Sequence, residues 1–171
     1  MSTASVAPLP LSTLSEEEAM FREAVRDFAE SEIRPHVTEM DEAGHFRPEL
    51  IAKFFEMGLM GIEIPELYGG AGSSIFMAGL AIEELARVDA SAAIYVDVQN
   101  TLCNNALLRW ASDEQKQRYL PRMCTDLLGA FALSEPASGS DAFGLQTRAD
   151  LKAGHWELTG RKLWITNGAE A

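Results

Sequence analysis

Two stretches hold the residues whose types and spacing could do chemistry. In Phe131-Ala132-Leu133-Ser134-Glu135-Pro136-Ala137-Ser138-Gly139-Ser140-Asp141 an apolar run enters a turn crowded with hydroxyls, a proline and a glycine. In Lys162-Leu163-Trp164-Ile165-Thr166-Asn167 a second apolar run carries an aromatic and a hydroxyl at i and i+2, the spacing that puts both on one face of a strand. Ser134 and Thr166 can each donate a hydrogen bond to a heteroatom of a planar ring. Backbone N–H groups around Leu133 and Ser134 can do the same along the ring's edge, and Trp164 can pack on an aromatic face. The Ser138-Gly139-Ser140 turn suits a phosphate, with Gly139 letting the backbone come close. The pair reads as two walls for a flat, polar-edged ligand that carries phosphate. An edge turn beside a core tryptophan explains the same residues equally well.

No catalytic constellation stands out by spacing. His36, His45 and His155 are far apart, and Ser134, Ser138 and Ser140 lie in no GxSxG elbow, which argues against a serine hydrolase. Glu135 could act as an acid or base, but a carboxylate in such a turn more often accepts turn hydrogen bonds. Cys103 and Cys124 show no CxxC pairing and read as reduced thiols of an intracellular protein. A polar row, Gln99, Asn100, Thr101, Asn104 and Asn105, is expected to cap, turn or face water, with a ligand-cavity lining as the sharper alternative.

The elements that must position these stretches come in two kinds. Ser15 with Glu18 forms a capping-box pattern, and Phe21, Ala24, Val25, Phe28 and Ile33 then recur at helical spacing, leaving Arg22, Glu23, Arg26 and Glu30 for water. Pro35 should kink or end this helix. A second helix follows Pro48 and stops at Gly58. The glycine-rich connector from Gly61 to Gly72 has neither a GxGxxG nor a Walker pattern. A third helix is expected from about Ser74 to Val88, with Ile75, Ala78, Ile82 and Leu85 on one side. A fourth runs from about Ser91 to Trp110, apolar on several faces and so central to its bundle. Ser112 and Gln115 cap a short helix through Tyr119, ended by Pro121. Then the period changes: Gly129 to Leu133, Leu145 to Ala149, a hairpin turn at Lys152-Ala153-Gly154, and Trp156 to Thr166 read as a meander of strands.

The expected fold class is α+β. A flexible arm (1–14) precedes an all-α domain (15–126), and 127–171 is the opening of a truncated β-domain. A hydrophobic fraction of 47% over 171 residues suffices for a core. The formal net charge of −12 argues against nucleic-acid binding, no run is long enough to span a membrane, and the start lacks a secretory signal.

LSEPASGSD followed by LWITNG, behind GLMGIEIPELYGGAG, IEELARVDAS and EQKQRYLP, closely resembles the acyl-CoA dehydrogenase family. The likeness runs from about Ser15 to the last residue. MGIEIPELYGG, VDAS, QNTL and TRAD look most like the short/branched-chain members. The resemblance implies a helical N-terminal domain, a middle β-domain and a C-terminal four-helix bundle, assembled as a homotetramer with one FAD per subunit. It places Phe131, Leu133 and Ser134 along the flavin, with Ser134 near N5, and Ser140 by the FAD pyrophosphate and the CoA-bearing substrate. Trp164, Ile165 and Thr166 would form the other flavin strand, with Thr166 also approaching N5, and Leu102 to Asn105 would line the acyl pocket. The implied reaction is α,β-dehydrogenation of a short or branched acyl-CoA, with electrons leaving to an electron-transferring flavoprotein. The setting implied is cytoplasmic in a bacterium and the mitochondrial matrix in a eukaryote. The catalytic carboxylate of the family is expected downstream, so no residue here is assigned as the base, and the 171 residues alone are expected to be inactive. Ala137-Ser138 stands where many relatives have Gly-Ala, so Ala137 is strained if a positive φ is needed there. An acyl-CoA oxidase or flavin monooxygenase of the same superfamily, or a non-catalytic helical interaction module, are the alternatives.

Overall fold

Ser15 opens the first helix, α1 (Glu16–Phe28), because its hydroxyl accepts the Glu18 N–H while the Glu18 carboxylate accepts the Ser15 N–H. The computed structural model describes residues 13–171, so most of the arm expected over 1–14 lies outside the described residues. At its far end α1 runs into a π-helical turn (Ala29–Ile33) and a 3₁₀ turn (Arg34–His36) that contains Pro35. The α-helical hydrogen bonding thus gives way at Ala29, ahead of Pro35, and a short helix α2 (Val37–Ala43) resumes it beyond the proline until Gly44, at φ 60°, closes the segment. Pro48 occupies the first turn of α3 (Pro48–Glu56), and Gly58, at φ 71°, lies just beyond its end.

Helix α4 (Ile75–Ala86) is capped by Ser74, and α5 (Ala90–Asp97) by Asp89. The expected fourth helix is present but not regular. After α5 the chain passes through a π-helical segment (Val98–Asn104) before α6 (Asn105–Trp110). Helix α7 (Asp113–Thr125) opens on the Ser112–Gln115 capping box and runs straight through Pro121 instead of ending there. An interior proline costs about 3 kcal/mol, but Leu120, Met123 and Cys124 on the same helix are all buried, and that burial outweighs it.

One apolar cluster joins α1, α3, α4 and α5 through Val25, Phe54, Ala81, Leu85 and Val96. A second joins α7 to the π-helical segment and the connector through Ile64, Val98, Cys103, Leu120 and Met123. Ile75, Ile94 and Leu102 do not share in either; they remain exposed.

Beyond α7 the described sheet has two antiparallel strands, β1 (Arg148–Lys152) and β2 (His155–Thr159), with Lys152 opposite His155. They meet at Ala153-Gly154, where φ is 37° and 88°, the two positive values that a tight hairpin turn needs. The runs Gly129 to Leu133 and Lys162 to Thr166 are not strands. A ladder needs repeated bonds, and among the described residues the one backbone bond here runs from Leu163 N–H to the C=O of Ser134, just past the first run, at 2.9 Å. Trp164, at φ 57°, also breaks the extended backbone. The architecture is thus a helical unit followed by a small antiparallel β element, the α+β class expected.

Candidate functional site

The two chemically suggestive stretches lie side by side. Besides the Leu163–Ser134 bond, Lys162 Nζ donates to Leu133 C=O at 3.0 Å and to Glu135 Oε1 at 2.7 Å. Glu135 also accepts the N–H groups of Gln146 at 2.6 Å and Thr147 at 3.1 Å. The ammonium of Lys162, then these N–H donors, hold the Glu135 carboxyl down at about 2. A carboxylate so committed is an anchor that pins the β element to the turn, not an acid or base.

The turn itself is tight. Glu135 N–H donates to Ser138 C=O at 3.0 Å, and Ser138 N–H to Glu135 C=O at 3.1 Å. Ala137 is absent from the positive-φ residues, so the strain considered there does not arise. Ser138 is buried and donates its hydroxyl to Asp141 C=O at 2.6 Å, which removes it from the phosphate turn. Gly139 and Ser140 stay exposed, and a side chain added at Gly139 would meet open space.

The hydroxyls of Ser134, Ser140 and Thr166 make no side-chain hydrogen bond among the described residues, unlike those of Ser138 or Thr101. Beside them Phe131 is 39% exposed, Leu133 42% and Trp164 91%, while Ile165 is half-buried. Because Trp164 leaves the extended conformation, strand alternation does not place it on one face with Thr166. The buried Asn167 keeps one amide oxygen without a partner. Unused donors, an unused acceptor and uncovered aromatic surface fit a flat, polar-edged group.

Phe131 also faces the helical unit. It closes a hollow of about 290 Å3 with Thr101, Leu102, Asn105 and Arg109, and a second of about 310 Å3 with Cys103, Leu107 and Gly129. Leu102 and Asn105 therefore do border open space near the first stretch. Thr101 borders it too, and the other three of the polar row follow neither course expected of them. Gln99, Asn100 and Asn104 are fully buried, and they tie backbone together. Asn100 donates to Leu59 C=O at 2.7 Å and accepts from Ile62 N–H at 3.0 Å, and Asn104 donates to Met60 C=O at 2.8 Å. Burial raises the Cys103 thiol to about 11, leaving it inert.

Sequence reasoning also passed over Glu84, buried in α4, which accepts from Arg26 at 2.8 and 3.0 Å and from Arg87 at 2.7 Å. Arg26 foremost, with Arg87, holds its carboxyl down at about 2. A lone acid on the buried side of an apolar helix was the available signal.

Comparison with known proteins is consistent with this geometry. The model of the acyl-CoA dehydrogenase N-terminal domain matches residues 15–126, and that of the acyl-CoA dehydrogenase middle domain matches 130–171. A probable short/branched chain specific acyl-CoA dehydrogenase of Dictyostelium discoideum is 47% identical over 163 residues, covering 95% of this chain and 40% of that protein. The mitochondrial short/branched chain specific acyl-CoA dehydrogenase of Bos taurus is 43% identical over 166 residues, covering 96% of this chain and 38% of the relative. A solved glutaryl-CoA dehydrogenase from Mycobacterium smegmatis, in complex with FADH2, superposes with a TM-score of 0.88 at 36% identity, covering 92% of this chain and 41% of that one. The chain spans about two-fifths of the length of these relatives.

Proposed function

This chain belongs to the acyl-CoA dehydrogenase family, and from that premise we propose that it forms the cofactor-facing part of an FAD-dependent acyl-CoA dehydrogenase for short or 2-methyl-branched substrates. Residues 15–126 serve as its helical domain and 127–171 as the opening of its middle β-domain. The observation that carries the proposal is the pairing of Leu163 with Ser134, which sets unused hydroxyls and bare aromatic surface side by side.

FAD, when bound, supplies an acceptor for the hydride that leaves the substrate β-carbon as the α-proton is removed, giving a trans-2-enoyl-CoA. The residues of this chain orient and shield. Ser134 and Thr166 donate toward the N5 side of the ring, Phe131, Leu133 and Ile165 exclude water, and Trp164 covers an aromatic face. Ser140 lies at the exposed turn suited to the pyrophosphate and the CoA portion. The base is assigned to no residue here. The working enzyme is a homotetramer that passes its electrons to an electron-transferring flavoprotein.

The test is anaerobic addition of a short branched acyl-CoA to the purified full-length enzyme. Visible flavin absorbance that bleaches supports the reading, and a colourless protein overturns it. Oxygen consumption without an added acceptor would move the assignment to an oxidase.

A further inference from the structure

Gly129 is gripped from two sides by side-chain amides. Its N–H donates to Gln99 Oε1 at 2.8 Å, and its C=O accepts from Asn167 Nδ2 at 3.0 Å. Gln99 is itself fixed, donating to Met123 C=O and Leu127 C=O, each at 3.0 Å. The residue between the amides is closely packed: a Cβ on Gly129 would sit 2.7 Å from Cys103 Cβ and 2.9 Å from Met123 Cε. Asn167 is held as firmly. It is buried, its φ is 62°, and its own C=O accepts the N–H groups of Glu170 and Ala171. Asparagine is among the few residues with a side chain that tolerate this backbone.

Position gives the contact its meaning. Gln99 stands in the π-helical segment that carries Leu102 and leads directly into Asn105, the first residue of α6. Gly129 and Phe131 line one hollow together, and Asn167 directly follows Trp164 to Thr166. The Gln99–Gly129–Asn167 clasp thus links the acyl-facing helix, the root of the first stretch and the end of the second. Without it the second stretch would be tied to the first only at its start, through the Leu163–Ser134 bond and the two bonds of Lys162 Nζ.

We propose that Asn167 is a positioning residue, setting the two walls of the cofactor site against each other and against the Leu102–Asn105 helix through Gly129. The proposal rests on the flavin reading above. Asn167 acts through Gly129 and not on the reacting atoms, so its loss slows the chemical step more than it weakens substrate binding.

Two variants of the full-length enzyme separate this from simple space-filling. Asn167→Gly keeps the left-handed backbone and deletes the amide, whereas Asn167→Asp keeps the shape and puts an acceptor against the Gly129 carbonyl. In both, hydrogen exchange of the flavin-free protein should quicken over residues 129–134 and stay unchanged over α1 to α5. With flavin bound, kcat should fall about tenfold while KM for the acyl-CoA changes less than about twofold, and the visible flavin band should shift. Wild-type exchange over 129–134 together with wild-type kcat would overturn the proposal. If neither variant folds, the wild-type Asn167 side-chain amide decides: Nδ2 protons protected from exchange support the clasp, and protons that exchange as fast as those of an exposed asparagine remove it. A wild-type enzyme without flavin would sink the functional reading alone, since the exchange measurements still judge the clasp.

Discussion

Ser134 and Ser138 sit in one turn, yet only Ser138 spends its hydroxyl within the chain. Ser134 contributes its carbonyl to Leu163 and keeps its hydroxyl for a ligand. Removing an oxygen that has no internal partner should leave folding unchanged. Ser134→Ala should therefore keep the wild-type melting temperature while weakening FAD affinity of the flavin-free enzyme about tenfold, the value of one hydrogen bond. Reconstitution followed by flavin fluorescence measures this, and an unchanged affinity with unchanged reactivity would count against a contact at N5. The residues that were hardest to read from sequence are the amides of the Gln99–Asn105 row. Their types are equally at home in caps, in solvent and in pockets. What decides Gln99, Asn100 and Asn104 is backbone arriving from 24 to 44 residues away, which no local pattern contains.

Elements were legible where their signals are local. Ser15 and Ser112 each accept the N–H that their capping-box spacing implies, and the two-residue turn at Ala153-Gly154 follows from its glycine. Pro121 misleads because its penalty is local whereas the burial that overrides it is tertiary. The strand readings at 129–133 and 162–166 fail for a related reason: apolar runs specify burial, and pairing needs a partner that a run does not name. The Gly61 to Gly72 connector makes the same point with a test. Its glycines are less a phosphate cradle than a fold-back, in which Gly72 N–H donates to Ile64 C=O at 2.8 Å and Ser73 N–H to Ile62 C=O at 2.9 Å. A Cβ at Gly70 would lie 2.1 Å from the Ile64 oxygen, a backbone atom that cannot step aside. Gly70→Ala should cost about 2 kcal/mol or more. It should read as a lower denaturant midpoint at unchanged slope, and a midpoint within error of wild type would refute the fold-back.

The whole molecule carries 26 acidic and 14 basic side chains, so lowering the pH relieves self-repulsion only as far as the isoelectric point near 4.6, and below it positive charge accumulates. Two buried carboxylates add a specific loss in that lower range. Glu84 and Glu135 are each held at about 2 in the folded chain, against an ordinary 4.5. Below 4.5 the unfolded chain takes up protons at these positions and the folded chain does not, so their stabilisation is full above 4.5 and is lost as the pH falls toward 2. The two effects are separable by subtraction. Glu84→Gln keeps the shape but weakens the ties to Arg26 and Arg87, and Glu135→Gln does the same to Lys162, while general repulsion changes little in either. Each variant should melt several degrees below wild type at pH 7, and the gap should close between pH 4.5 and 2. Glu84 ties α4 to α1, and Glu135 ties the turn to the β element. In the double variant the two losses should add, because the sites share no partner. A gap that stayed constant from pH 7 down to 3 would mean that neither carboxylate is charged and paired in the folded protein.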